Sequence, residues 1–201
     1  MTVRVRAASL DDLADVRDVC IRTGADGEDA TGTLADDGIL PDVYAEPYLR
    51  LAPHFAFVAD DRGRGRAVGY VLGTADTDAF VAEWRERWLP TAAARHPAPV
   101  ARPGSRYEVL VHQLHHPEVM RTPWTDAYPA HLHVDLLPEA QGQGLGRALV
   151  ERFCAEVAAA GAPGVHLGVA ASNLGAQAFY RRLGFMPLET TGEAVWFGRS
   201  W

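Results

Sequence analysis

Apolar and polar residues alternate along five stretches of the chain: Val3 to Ala7, Phe55 to Ala59, 67–74, 131–136, and Val165 through Val169. A period of two predicts a strand at each. Between them the apolar spacing lengthens to three and four residues, which predicts helices. One carries Leu13, Val16, Val19 and Cys20, a second Phe80, Trp84, Trp88 and Leu89, a third Leu145, Leu149, Phe153 and Val157, and a fourth Leu174, Ala178, Tyr180 and Leu183. Ser9 and Asn173 stand where helix caps are needed, Thr77 starts the second helix, Pro90 is expected to end or kink it, and Gly184 closes the fourth. The charged turn at 60–66 joins two strands into an antiparallel hairpin, and Phe185 together with 194–197 supplies the last strands.

Three stretches are less regular. Residues 23–38 are rich in Gly, Asp and Thr without periodicity and read as a loop, and 39–51 as a short helix or irregular cover with Tyr44 and Tyr48. Residues 107–114 read as a strand or apolar segment stopped by His115, His116 and Pro117, after a proline-bearing connector at 96–103. The order of elements predicts an α/β protein, a mixed sheet with helices on both faces. A single domain over 1–201 is expected, with an insert at about 76–129 that is longer than ordinary connections.

Composition narrows the functional classes. The formal net charge is −7, from 26 acidic and 19 basic residues, which gives no support for nucleic-acid binding. Arg62, Arg64 and Arg66 sit beside Asp60 and Asp61 and read as a solvated hairpin tip. No run of eighteen apolar residues suggests a membrane span and no apolar core follows the N-terminus, so the expected location is cytoplasmic. Cys20 and Cys154 each fall within an apolar helical pattern and read as buried thiols. His112, His115, His116, His131 and His133 lack a zinc-ligand spacing, and the acidic loop lacks that of a calcium loop, so no metal is expected. No G-x-S-x-G elbow and no Ser-His-Asp or Cys-His arrangement points to a covalent nucleophile.

The chemistry concentrates at 132–156. A strand stops at Pro138, Gly142, Gly144 and Gly146 follow, and a helix opens at the last of them. Free amides at such a junction, with the positive end of the helix dipole, suit an anion such as a diphosphate. A P-loop would need Lys and then Ser or Thr where Arg147 and Ala148 stand, and the glycine spacing is not that of a dinucleotide fingerprint. On the strand, His131, His133 and Asp135 share one face opposite Leu132 and Val134, which suggests that the titratable face borders a cleft.

Gln141-x-x-Gly144-x-Gly146 after a strand ending in Leu-Leu-Pro resembles the acetyl-coenzyme A signature of the GNAT (GCN5-related) N-acetyltransferases. The run from Ala171-Ser172-Asn173 to Tyr180-Arg181-Arg182-Leu183-Gly184-Phe185 resembles the family's second signature. The wording of 133–147, with the long insert before it, is further similar to the acetyltransferase-like domain of O-GlcNAcases and its bacterial stand-alone relatives.

The resemblance implies a GNAT fold and acetyl-CoA as co-substrate. Leu136 and Leu137 would offer backbone groups to the acetyl and pantetheine parts. Gln141 and Gly142 would open a loop in which the amides of Gln143, Gly144, Leu145, Gly146 and Arg147 hold the pyrophosphate. Asn173 and Ala176 would meet the pantetheine, and Tyr180 would serve as general acid. The general base is expected to be Asp135 or His133, with Glu108 as another candidate carboxylate. Residues between the first two strands would lie over the acceptor, and Trp84, Trp88 and Trp124 would either line a pocket in the insert or seal it to the core. The implied function is N-acetyl transfer by direct attack of an amine, borne by a small molecule or by a protein or peptide. The alternative is a domain that binds acetyl-CoA with little or no transfer, and a third reading is an interaction module built on the insert. Dimerisation is common in the family, so a homodimer is possible on that ground.

Overall fold

A computed structural model describes residues 3–98 and 103–201, and the part of the proline-bearing connector at 99–102 lies outside them. Among the described residues seven strands form one sheet: β1 Val3–Ala7, β2 Ala56–Asp61, β3 Arg66–Thr74, β4 Ala130–Leu136, β5 Gly164–Ala170, β6 Met186–Thr190 and β7 Ala194–Ser200. Their order is β1-β2-β3-β4-β5-β7-β6, antiparallel except where β4 meets β5. That parallel pairing joins only Ala130 to Val165 and His131 to His166, so β4 and β5 separate beyond His131. Strand edges that part expose backbone polar groups and open a wedge inside the sheet, where a ligand can enter.

Helices cover both faces, as the alternation of elements predicted. On one face lie α1 Leu13–Arg22, α2 Ile39–Tyr44 and α3 Glu46–Leu51; on the other α7 Leu145–Ala159 packs across β1 to β4. α1 opens through a 3₁₀ turn capped by Ser9 and Asp12, which bond each other's backbone reciprocally. Val16, Val19, Leu149, Val150, Phe153 and Val157 are buried against the two faces of the sheet. α8 Leu174–Arg182 lies beside the start of α7, with Phe179 against Gly146.

Three local expectations need correction. Residues 107–114 belong to a helix, α6 Arg106–His115, instead of a strand. Ser105 and Glu108 form a capping box there, and Leu110, Val111 and Leu114 bury a face at helical spacing, two signals that outweigh a short apolar run. Pro90 does not end its helix: α4 Thr77–Glu83 passes through a π turn at Trp84–Trp88 into α5 Leu89–Ala92. The wider turn, where the Leu89 amide bonds Trp84 O, absorbs a residue that has no N–H to give. Leu174 is 69% exposed, so the buried side of α8 is made by Gln177 and Tyr180, with Leu183 following.

The segment carrying Trp88, Arg95 and His96 is tied to α2 by a buried charge. Asp42 on α2 is fully buried and accepts from Arg17 Nη1 at 2.6 Å, Arg95 Nε at 2.7 Å and His96 Nε2 at 3.0 Å, while Trp88 Nε1 donates to its carbonyl at 2.9 Å. Burial works to raise the Asp42 pKa, but the guanidiniums of Arg95 and Arg17 outweigh it and hold the carboxyl below its ordinary value.

Candidate active site

Two cavities flank β4, and consecutive residues of the strand pass from one to the other. The first, of about 670 Å³, is lined by Val134, Asp135 and Leu136 of β4, by Gln141, Gly142, Gly144, Gly146 and Arg147, and by Asn173, Ala176 and Tyr180 of the α8 segment. Its remaining wall includes Thr23, Asp26, Gly27 and Glu28, from the loop after α1. Gly144 is the N-cap of α7 at φ 79°, in the left-handed region that penalises side chains, and no side chain caps the helix. The first-turn amides of α7 are left available to an anion, beside Arg147. A Cβ at Gly146 would stand 3.2 Å from Phe179 and 3.3 Å from Leu136, so glycine here lets α7, α8 and β4 converge.

Several expected groups already have partners. Gln141 Nε2 donates to Leu136 O at 3.0 Å and Gln143 Nε2 to Glu139 O at 2.9 Å, so both side chains brace the loop. The Leu137 amide is spent on Val68 O at 3.0 Å and its side chain is buried, which corrects the expectation that this residue offers a donor to a ligand. Gln143 and Leu145 do not line the cavity with Gly142, Gly144, Gly146 and Arg147. Asn173 caps α8 through Oδ1, which accepts from Ala176 N at 2.9 Å, and Nδ2 donates to Asp26 O at 3.0 Å. A primary amide carries two N–H groups, so one donor remains beyond these bonds. Tyr180 is 7% exposed, packed against Phe179, Phe185 and Phe197. Burial, reinforced by the charge of Asp135, pushes its phenol well above the ordinary range, so the hydroxyl keeps its proton.

The second cavity, of about 280 Å³, lies where β4 and β5 part. Tyr44, Tyr48 and Trp84 close it on one side, Met120 and Gln113 on another, and His131, His133, His166 and Trp196 line the sheet. Trp84 thus fulfils both expectations, buried and lining a pocket, whereas Trp88 is a core residue and Trp124 packs against Trp196.

A chain of hydrogen bonds fixes the protons in this cavity. Thr77 Oγ1 lies 2.7 Å from Pro129 O, which can only accept, so the hydroxyl donates there and accepts from His131 Nδ1 at 2.8 Å. His131 is held well below its usual pKa by burial and by His133 and His166, and is therefore neutral. Its Nε2 is then an acceptor and takes the Tyr48 hydroxyl proton at 2.9 Å. Tyr48 in turn accepts from His133 Nε2 at 3.0 Å. Burial, with His166, depresses His133 to about 4, so it too is neutral and its proton sits on Nε2. Among the described residues nothing bonds Nδ1 of His133, so its lone pair is left free, and it is not a sealed polar atom. Tyr48 and Thr77 carried no catalytic signal in the sequence, because their role arises only when α3, α4 and β4 meet.

The other base candidates are placed differently. Asp135 accepts from the Tyr70 hydroxyl at 2.6 Å and faces the first cavity; burial raises its pKa against hydrogen bonds from Tyr70 and Thr23. Glu108 is half-buried and engaged by the amides of Gly104 and Ser105, so it is a helix cap away from either cavity. Among the described residues no group of three or more His, Cys, Asp or Glu is arranged to hold a metal ion, and no helix is long and apolar enough to cross a membrane.

Comparison with known proteins gives this geometry a lineage. Residues 119–185 match the profile of the Acetyltransferase (GNAT) family. The crystal structure of SsHAT superposes with a TM-score of 0.95 at 48% identity, over 100% of this chain and 98% of that one. The chain belongs to the GNAT acetyltransferase family. Acetyl-CoA-dependent acetyl transfer comes with that membership. More distant GNAT structures bear on the fold alone. An agmatine N-acetyltransferase mutant in its apo form has a TM-score of 0.61 at 18% identity, over 100% of both chains. A phosphinothricin acetyltransferase from Sinorhizobium meliloti in complex with AcCoA has 0.57 at 18%, over 100% of this chain and 89% of that one.

Proposed function

We propose that the protein is an N-acetyltransferase in which acetyl-CoA fills the larger cavity, the amine enters the smaller one, and the thioester lies along β4 between them. The observation that carries this reading is the passage of β4 from one cavity to the other, with His133 on the amine side and Val134 and Asp135 on the coenzyme side. The amides opening α7, with Arg147, hold the pyrophosphate, and Asn173 and Ala176 border the pantetheine. The amine lone pair forms the C–N bond to the acetyl carbon, and the C–S electron pair leaves with sulfur. His133 Nδ1 takes the amine proton, and Tyr180 gives its proton to the departing thiolate. The imidazolium proton returns through water to the phenolate, which restores both groups. No covalent intermediate is needed.

A titration calorimeter and a thiol-release assay test it. Acetyl-CoA should bind with measurable heat and raise Tm, and Tyr180→Phe should lower kcat about 10²-fold while leaving the coenzyme Kd unchanged. Absence of both heat and thermal shift at millimolar acetyl-CoA would end the assignment. The second reading, a domain that binds acetyl-CoA and transfers poorly, goes with the narrower likeness to the O-GlcNAcase domain. The low basicity of His133 favours it for strongly basic amines, and coenzyme binding without thiol release across several amine classes would select it.

A further inference from the structure

No Asp, Glu, Lys or Arg lines the smaller cavity among the described residues. Its wall is aromatic and apolar, from Tyr44, Tyr48, Trp84, Met120 and Trp196, with neutral imidazole on the sheet side. Resting on the acetyltransferase reading, we propose that the acceptor is a neutral aromatic amine, an arylamine, instead of an alkylammonium such as a lysine side chain or a polyamine.

Size, charge and hydrogen bonding point the same way. A cavity of roughly 150 Å³ is enough for benzene, so about 280 Å³ takes a substituted ring. An ammonium ion buried in that wall would lose its water and gain no carboxylate. Aromatic boxes that bind ammonium ions present open ring faces, and here one face of Tyr48 is stacked on Phe80 at 4.5 Å while Trp84 packs against both Phe80 and Trp88. A lysine-like amine with a pKa of about 10.4 offers roughly one neutral molecule in a few thousand at pH 7. The depressed His133 cannot strip the others. An arylamine arrives neutral, because its lone pair is delocalised into the ring. It becomes acidic only as the C–N bond forms, when a weak base with a free Nδ1 suffices.

The test uses the full chain with saturating acetyl-CoA and compares aniline, 2-phenylethylamine and 1,5-diaminopentane by thiol release, with acetyl-CoA binding measured separately by calorimetry. At pH 7 aniline should give kcat/KM at least tenfold above 2-phenylethylamine, and the diamine should give none. Calorimetry with CoA present should show that acetanilide, the product amide, binds at least tenfold more tightly than N-acetyl-1,5-diaminopentane. Gln113→Glu is nearly isosteric, and its Oε1 still accepts from the Tyr44 hydroxyl as Gln113 does at 2.8 Å. It should lower aniline turnover and bring the alkylamines to within threefold of it. If acetyl-CoA binds and the diamine or 2-phenylethylamine matches or exceeds aniline, or if acetanilide binds no better than the diamine product, the arylamine proposal is overturned while the transferase reading stands. Failure of acetyl-CoA itself to bind would instead remove the reading on which the proposal rests, and the proposal with it.

Discussion

At the scale of single residues, Tyr48 decides which nitrogen of His133 is basic. Its one proton goes to His131, so it can only accept from His133 Nε2. Tyr48→Phe removes both bonds and lets His133 adopt either tautomer. We expect kcat/KM for the amine to fall roughly tenfold or more, short of the ~10²–10⁴ expected from His133→Ala, with coenzyme Kd unchanged in both. In wild type the acid limb of the kcat profile, read at saturating amine so that the substrate's own protonation drops out, should lie near pH 4, where His133 takes up its proton, and not near the ordinary histidine value of about 6.5. Asp135→Asn should leave that limb where it is, since Asp135 faces the other cavity. Should the limb vanish in Asp135→Asn and persist in His133→Ala, the base is Asp135. His133 and Asp135 were legible as candidates from the alternation on β4 alone. The distinction between them was not, because it lies in Tyr48 and Tyr70, far away in sequence.

Among elements, the strand, glycine loop and helix at 130–159 could be read from local sequence, since Pro138, the glycines and the fourfold apolar spacing all act within a few residues. α6 was ambiguous because eight apolar-rich residues fit either period, although Ser105 and Glu108 already spelled a cap. The π turn at Trp84–Trp88 had no comparable local mark. Gly144→Ala should cost about 1–2 kcal/mol at its left-handed φ, read by urea unfolding, and should weaken acetyl-CoA binding, because strain relaxes by moving the amides that start α7. Asp42→Asn acts elsewhere. It leaves the Arg17 and Arg95 guanidiniums without their shared charge. Both reach water, at 29% and 41% side-chain exposure, so we expect a loss of about 2–3 kcal/mol, below the ~3–5 for a pair sealed from solvent. Because this anchor holds the segment of Trp88, Arg95 and His96 beside the smaller cavity, KM for the amine should rise more than the coenzyme Kd; equal changes in both would contradict that placement.

For the whole molecule, the neutral histidines set how stability responds to acid. Burial lowers His131, His133 and His166, so between about pH 6.5 and 4 the unfolded chain binds protons that the native state refuses. Unfolding free energy must then fall as pH drops through that window, by up to about 1.4 kcal/mol per pH unit for each histidine fully protonated only when unfolded. Asp135 works in the opposite direction. Its raised pKa keeps a proton in the native state that the unfolded chain releases above about 3.8, so its contribution is present at low pH and is lost as pH rises through the folded value. Asp42, whose pKa is lowered, begins to count below about 3.8, where the unfolded carboxylate takes up its proton and stability is lost as pH falls through the folded value. Urea midpoints measured from pH 7 to 4 should therefore decline for wild type and decline less for His133→Gln, whose side chain does not titrate. An identical slope in the two proteins would mean that His133 takes up its proton in the native state over the same pH range as in the unfolded chain, and that it is not the weak base assigned to it.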